Sequence, residues 1–147
     1  MALKTAVIGV GSLGRQHARL HAALAAEGVS EFVSVVDLNE QTARTVAEER
    51  GVDWTKNWRD LIGKVHAVSL AVPTEAHCEI GCALLEAGIH VLVEKPISRT
   101  LDEADRMIDA ATKGNALLQV GHLERFNPAM KTSIPMLRGL ATSNPRT

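Results

Sequence analysis

The segment Gly9–Gly14 has the residue types and spacing of a phosphate-binding loop. It reads Gly-Val-Gly-Ser-Leu-Gly and fits the pattern G-x-G-x-x-G. In such a loop the first glycine permits a tight turn, the second lets a pyrophosphate approach the backbone, and the third allows close helix–strand packing. The phosphates then lie at a helix N-terminus, where free N–H groups and the helix dipole favour an anion. The alternative is a glycine-rich turn with a purely structural role.

Asp37 is a second candidate, because it ends the second predicted strand, Glu31–Asp37. An acidic side chain at the end of a second strand accepts hydrogen bonds from an adenosine ribose. A carboxylate there repels a 2′-phosphate, and Leu38 and Asn39 follow it, so the sequence favours NAD over NADP. Arg44, one or two helical turns further on, leaves NADP open. The alternative role for Asp37 is to cap the N-terminus of the following helix, and Asn39 is a competing candidate for that role.

The tripeptide Glu94-Lys95-Pro96 follows the apolar run Ile89–Val93. A lysine at a strand end beside a nicotinamide can hydrogen-bond a substrate hydroxyl or assist proton transfer. The alternative is a solvated Glu–Lys pair.

Histidines and cysteines also occur at helical spacing. His17 and His21 are four residues apart, a spacing that can hold zinc, but no third ligand is apparent and helix packing or exposure is expected instead. Cys78 and Cys82 have the same spacing, which disfavours a disulfide and predicts small buried side chains. No metal site is predicted.

The elements that must position these residues follow the alternating pattern of parallel α/β proteins. The predicted strands are Thr5–Val10, Glu31–Asp37, Val52–Trp54, His66–Val72, Ile89–Val93 and Ala116–Val120. The predicted helices are Leu13–Ala26, Gln41–Arg50, Thr74–Ala87 and Leu101–Thr112, with a single turn at Trp58–Ile62. This order predicts a doubly wound, mostly parallel sheet, a Rossmann fold, whose ligands bind beyond the carboxyl ends of the strands.

The domain organisation predicted is a single Rossmann domain over residues 1–122. Residues 123–147 are predicted to form a linker helix, with Pro128 in its first turn, and a tail. A length of 147 residues is one domain on the usual scale of roughly 100–200.

Composition excludes several classes of function. The chain is 46% hydrophobic and 22% charged, which excludes whole-chain disorder. A net charge of −1 removes the electrostatic case for nucleic acid. No apolar run approaches the ~20 residues that cross a bilayer, and two cysteines make no disulfide framework. A cytoplasmic location is therefore expected.

Four segments together resemble the Gfo/Idh/MocA oxidoreductases, the relatives of glucose–fructose oxidoreductase and inositol dehydrogenase. These segments are Gly9–His17, Ala71–His77, Glu94–Ser98 and Gly121–Pro128, in family order. The last is most similar to the branch that acts on nucleotide-linked sugars, such as the UDP-N-acetylglucosamine 3-dehydrogenases.

The resemblance implies roles for matching positions. Those implied to bind the cofactor are Gly9, Gly11, Ser12, Leu13, Gly14, Asp37, Pro73, Thr74, His77, Glu94 and Lys95. Lys95 is also implied to be catalytic, at the substrate and the nicotinamide. Arg125 and Asn127 match positions near the family's domain junction.

The family also has a second α/β domain, which supplies a catalytic histidine and most substrate contacts. The resemblance therefore implies that the substrate domain is missing here and that the isolated chain is inactive. The function expected is the NAD-binding domain of a dehydrogenase acting on a sugar or nucleotide-sugar hydroxyl, with no nucleic-acid or membrane partner. The alternative is a non-catalytic NAD-binding sensor or partner-binding module. The oligomeric state stays open.

Overall fold

The structure, a computed structural model, describes residues 2–123, 127–129 and 133. Its described strands form one parallel sheet in the order β3-β2-β1-β4-β5-β6. The strands are β1 Leu3–Ile8, β2 Ser30–Val36, β3 Asp53–Thr55, β4 Ala67–Leu70, β5 His90–Val93 and β6 Leu118–Val120. The predicted doubly wound Rossmann fold is thus confirmed, with the strand order reversing between β1 and β4.

Helices cover both faces of this sheet. They are α1 Ser12–Ala26, α2 Glu40–Arg50, α3 His77–Glu86 and α4 Leu101–Lys113, with 3-10 turns at Trp58–Leu61 and Thr74–Ala76. The apolar run of β1 alternates between two cores, as expected of a strand buried on both faces. Val7 packs with Ala18 and Val46 from α1 and α2, whereas Ile8 belongs to the core that contains Leu84 and Met107 from α3 and α4.

Local signals set most helix ends. The side chain of Asn39 accepts a hydrogen bond from the Thr42 N–H at 3.0 Å and caps α2, and Gly51 ends that helix in the left-handed region at φ +66°. At α3 the prediction was wrong. The Pro73 carbonyl accepts from the Ala76 N–H at 2.9 Å, so Thr74 begins a 3-10 turn and the α-helix starts only at His77.

Strand ends differ from the predictions by two residues at most, and the carboxyl ends of β5 and β6 agree with them. β1 begins at Leu3 because it pairs with Ser30, and it ends at Ile8 because Gly9 turns the chain. Among the described residues no helix is both long and apolar enough to cross a membrane.

The predicted linker segment is described only in part. Pro128 and Ala129 are helical, and the Asn127 side chain accepts the Ala129 N–H at 2.9 Å, as expected for Pro128 in a first helical turn. Arg125 and the predicted tail lie outside the described residues.

Candidate cofactor site

The last residues of the six strands pair with one another across the sheet, so the carboxyl ends of all six strands lie at one edge. They form a row of Thr55, Val36, Ile8, Leu70, Val93 and Val120, from β3 to β6. The residues that follow them are therefore neighbours along one edge, in the order Lys56, Asp37, Gly9, Ala71, Glu94 and Gly121. Backbone hydrogen bonds continue across this second row, including Gly9 N–H to the Val36 carbonyl at 2.8 Å and Glu94 N–H to the Leu70 carbonyl at 3.0 Å.

Two glycines of the loop are required by the fold itself. Gly9 has φ +81°, and a Cβ built there would lie 2.7 Å from the Ala71 carbonyl oxygen. A Cβ on Gly14 would lie 1.7 Å from the Gly9 carbonyl oxygen. These positions make the tight turn and the close helix–strand contact that G-x-G-x-x-G assigns to its first and third glycines.

Gly11 differs from both. Its φ is −67°, which any residue adopts, and a Cβ there would meet no described atom within 4 Å. Nothing in the described fold therefore requires glycine at this position. The space that a side chain would fill is open and lies where a pyrophosphate would approach the backbone, so the loop fits the phosphate group of a dinucleotide.

Helix α1 offers its N-terminus to the same space. Gly11 is its N-cap and brings no side-chain cap, while Ser12 and Leu13 in the first turn are exposed. The first N–H groups of a helix have no partner within the helix and attract anions. The first turn reads Ser12-Leu13-Gly14-Arg15, so its only charged side chain is a cation.

A cleft of about 540 Å³ runs along this edge across the ends of β2, β1 and β4, and so spans the switch point. Its lining includes Gly9, Gly11, Asp37, Leu38, Lys56, Trp58, Ala71, Pro73, Ala76 and Ile80. Most of these contribute apolar surface, which suits a nucleoside, with Asp37 among the few charged groups. A larger cleft, of about 770 Å³, lies at the opposite edge beside Lys4 and Lys64 and contains none of the predicted site residues.

The Asp37 carboxylate joins the glycine loop to the end of β2. Its Oδ2 accepts the Val10 N–H and its Oδ1 accepts the Asn39 N–H, both at 2.9 Å. Each carboxylate oxygen has a second lone pair, so the group retains capacity for ribose hydroxyls. Since Asn39 caps α2, the capping alternative for Asp37 is wrong.

Glu40 binds two cations, Arg44 in α2 and Lys56, which neighbours Asp37 along the edge. Arg44 contacts Glu40 at 2.7 Å and stacks over Trp54 at 4.8 Å. Lys56, which sequence reasoning missed, lies 3.7 Å from the other Glu40 oxygen and lines the cleft. Lys56 reaches the site because β3 pairs with β2. The register of this pairing cannot be predicted from a strand of three residues.

The segment after β4 places Pro73 in the cleft and His77 behind it. Pro73 is exposed and lines the cleft, while Thr74 opens the following 3-10 turn. His77 is only 1% exposed. Its Nε2 lies 2.9 Å from the Val72 carbonyl oxygen and its Nδ1 3.0 Å from that of Pro96. The ring therefore links the loops after β4 and β5 instead of facing the cleft.

Glu94 and Lys95 lie on the same edge, one strand beyond Pro73. Glu94 is 6% exposed, and its Oε1 lies 2.8 Å from His17 Nε2. Its Oε2 accepts the Lys95 backbone N–H at 3.2 Å. The solvated Glu–Lys alternative is therefore wrong for Glu94, whose side-chain partner is His17. Lys95 is exposed.

His21 and the two cysteines have structural surroundings. His21 Nε2 lies 2.9 Å from Ser69 Oγ, and burial, aided by the charge of His17, lowers the pKa of His21. The thiols of Cys78 and Cys82 are free and 3.8 Å apart, and burial raises the pKa of Cys82 to about 11. No cluster of three potential ligands among the described residues could hold a metal.

The strand order and the glycine loop at its switch point define a dinucleotide-binding Rossmann domain. A family profile described as "Oxidoreductase family, NAD-binding Rossmann fold" matches residues 3–122. The chain belongs to this family, Gfo/Idh/MocA, and the resemblance drawn from its motifs is confirmed.

Two similar proteins are dehydrogenases of a nucleotide sugar and of inositol. The chain is 36% identical over 129 residues to UDP-N-acetylglucosamine 3-dehydrogenase of Acidithiobacillus ferrooxidans, covering 88% of this chain and 40% of that protein. It is 36% identical over 135 residues to inositol 2-dehydrogenase 1 of Saccharopolyspora erythraea, covering 88% and 39%.

A solved structure agrees with the fold. The structure of UDP-N-acetylglucosamine 3-dehydrogenase GnnA from Acidithiobacillus ferrooxidans superposes with a TM-score of 0.83 at 34% identity, covering 92% of this chain and 43% of that one. The chain thus spans about 40% of the length of the curated relatives it matches.

Proposed function

We propose that this chain binds NAD(H) at the carboxyl edge of its sheet, as part of a cytoplasmic dehydrogenase acting on a sugar or nucleotide-sugar hydroxyl. The observation that carries the proposal is the open space beside Gly11. The described fold requires glycine at positions 9 and 14, but a side chain at position 11 would meet only open space. A ligand bound against the N-terminus of α1 accounts for glycine at this second position of the motif, and a pyrophosphate is the group that such a loop accepts.

The adenosine half of the cofactor would occupy the cleft beside Asp37. Two carboxylate oxygens with spare lone pairs suit the ribose hydroxyls and oppose a 2′-phosphate. Arg44 and Lys56 are the cations that could favour that phosphate, but each is already paired with Glu40. This arrangement supports NAD over NADP.

The nicotinamide half would extend along the edge toward Glu94 and Lys95. A bound nicotinamide supplies the hydride acceptor, so the chain's own residues must orient the substrate carbon and manage the hydroxyl proton. Lys95 is exposed at this edge. Its Nζ would donate to the substrate hydroxyl oxygen or take up the proton as the carbon–oxygen double bond forms.

Residues 1–122 constitute the cofactor domain in this proposal, and residues 123–147 lead toward the substrate-binding part. The edge that carries Lys95 forms only one wall of a site. Since positioning two reactants supplies a large share of a barrier reduction, the 147-residue chain alone should have no appreciable dehydrogenase activity.

Calorimetric titration of the chain with NAD⁺ and NADP⁺ tests the proposal. We expect NAD⁺ to bind, and NADP⁺ to bind more weakly. Equal or tighter binding of NADP⁺ would contradict the role given to Asp37. Binding of neither cofactor would contradict the assignment of the glycine loop.

A further inference from the structure

We infer that His17 is a positioning residue for Lys95 and acts through the carboxylate of Glu94. The inference rests on the proposed function, to which it adds a residue in helix α1. The two side chains come from positions far apart in the sequence and meet at the carboxyl end of β5, with His17 Nε2 2.8 Å from Glu94 Oε1.

The Glu94 carboxylate is nearly buried, so few other hydrogen-bond donors can reach it. The His17 and Glu94 side chains are 11% and 7% exposed, so water contributes little to solvating the carboxylate. A buried carboxylate is costly unless donors satisfy its oxygens. One oxygen faces His17, and the other accepts the Lys95 backbone N–H at 3.2 Å. Removing His17 therefore leaves one oxygen in need of a new donor.

The end of β6 closes another side of the same carboxylate. Gly121 is buried, and a Cβ built on it would lie 3.3 Å from Glu94 Oε1. That spacing is tighter than ordinary van der Waals contact, so the absence of a side chain at Gly121 makes room for the Glu94 carboxylate. Helix α1 on one side and the β6 end on another thus restrict the rotamers that Glu94 can adopt.

The Lys95 backbone is held in place on both sides by these contacts. On its N-terminal side, Lys95 N–H is bound to Glu94; on its C-terminal side, the Pro96 carbonyl lies 3.0 Å from His77 Nδ1. Helix α1 begins at the glycine loop and presents His17 in its second turn. The contact between His17 and Glu94 therefore fixes the Lys95 backbone relative to α1, the helix whose N-terminus would bind the pyrophosphate.

Paired substitutions separate this role from simple packing. The amide nitrogen of glutamine extends about as far from the backbone as Nε2 of histidine, whereas that of asparagine stops near Nδ1. We expect His17→Asn to displace the Lys95 amide resonance in a ¹H–¹⁵N spectrum of the cofactor-free chain by more than those of Val91 and Leu92. His17→Gln, which retains a donor at the required distance, should restore the Lys95 resonance toward its wild-type position.

His21 supplies the matched control, because it lies one turn further along α1 and bonds Ser69 Oγ at 2.9 Å. His21→Asn should lower the unfolding midpoint without displacing the Lys95 resonance. An unmoved Lys95 resonance in His17→Asn, or an equal displacement in His21→Asn, would overturn the inference.

A second variant covers the case in which His17→Asn does not fold. Glu94→Gln keeps the side-chain shape but removes the negative charge, so the Lys95 N–H should lose a charge-assisted hydrogen bond and its resonance should move. If that resonance stays in place, the inference is wrong. Both spectra are recorded without cofactor, so failure to bind NAD⁺ would contradict the proposed function and leave this result independent.

Discussion

Replacing Gly11 by alanine should separate cofactor binding from folding. At this position φ is −67°, and the new methyl group would meet no described atom within 4 Å. The loss of a favourable N-cap glycine and the reduced freedom of the unfolded chain oppose each other, so the free energy of unfolding should change by less than about 1 kcal/mol. The methyl group would, however, occupy the approach of the pyrophosphate to the backbone. We expect NAD⁺ affinity to fall at least tenfold, about 1.4 kcal/mol.

Gly14→Ala is the matched comparison within the same loop. Its Cβ would lie 1.7 Å from the Gly9 carbonyl oxygen, a backbone atom that cannot move aside alone. We expect a loss of roughly 3 kcal/mol or more in unfolding free energy. Urea unfolding and calorimetric NAD⁺ titration measure the two quantities for each variant. Unchanged NAD⁺ affinity in Gly11→Ala would refute the pyrophosphate site. A large loss of stability in the same variant would indicate that Gly11 has a purely structural role.

Three further predictions concern charge and proton transfer. Glu40→Gln releases Lys56 and Arg44, so NADP⁺ affinity measured by calorimetry should rise about threefold relative to NAD⁺, the scale of one exposed ion pair; an unchanged ratio would contradict the role given to Glu40. Because burial lowers the pKa of His21 below 6.5, the unfolded chain binds the proton more readily, and stability present above that pH should be lost as the pH falls through the folded pKa. His21→Gln should flatten this part of a urea-midpoint profile between about pH 7 and 5, and an unaltered slope would assign it to other groups. Lys95→Ala should leave NAD⁺ affinity and the unfolding midpoint of the chain nearly unchanged, because the lysine is exposed and is proposed to serve the reaction; complete loss of NAD⁺ binding would assign it to the cofactor instead.

Local signals made the glycine loop and most of the helix ends predictable, the start of α3 excepted. The strand before Gly9, the cap at Asn39 and the glycine at position 51 act over a few residues, and each is visible in the sequence without knowledge of the fold. The parallel sheet followed from their alternation with apolar runs, since crossovers of one hand leave few topologies.

Contacts between distant elements could not be predicted in the same way. The partner of Glu94 is His17, a residue that the sequence presented as part of a histidine pair on one helix. The proximity of Lys56 to Asp37 depends on the register of a three-residue strand. Each of these depends on tertiary packing, which propensity and spacing do not encode.

The central claim is that a dinucleotide binds at the carboxyl edge of the sheet, across the switch point between β1 and β4. Titrating the ¹⁵N-labelled chain with NAD⁺ tests it residue by residue. We expect the largest amide shifts at Gly11, Ser12 and Leu13, with further shifts at Asp37, and no comparable shifts at Lys4 and Lys64 beside the larger cleft of the opposite edge. Shifts concentrated at that opposite edge, or absent from the glycine loop, would contradict the account.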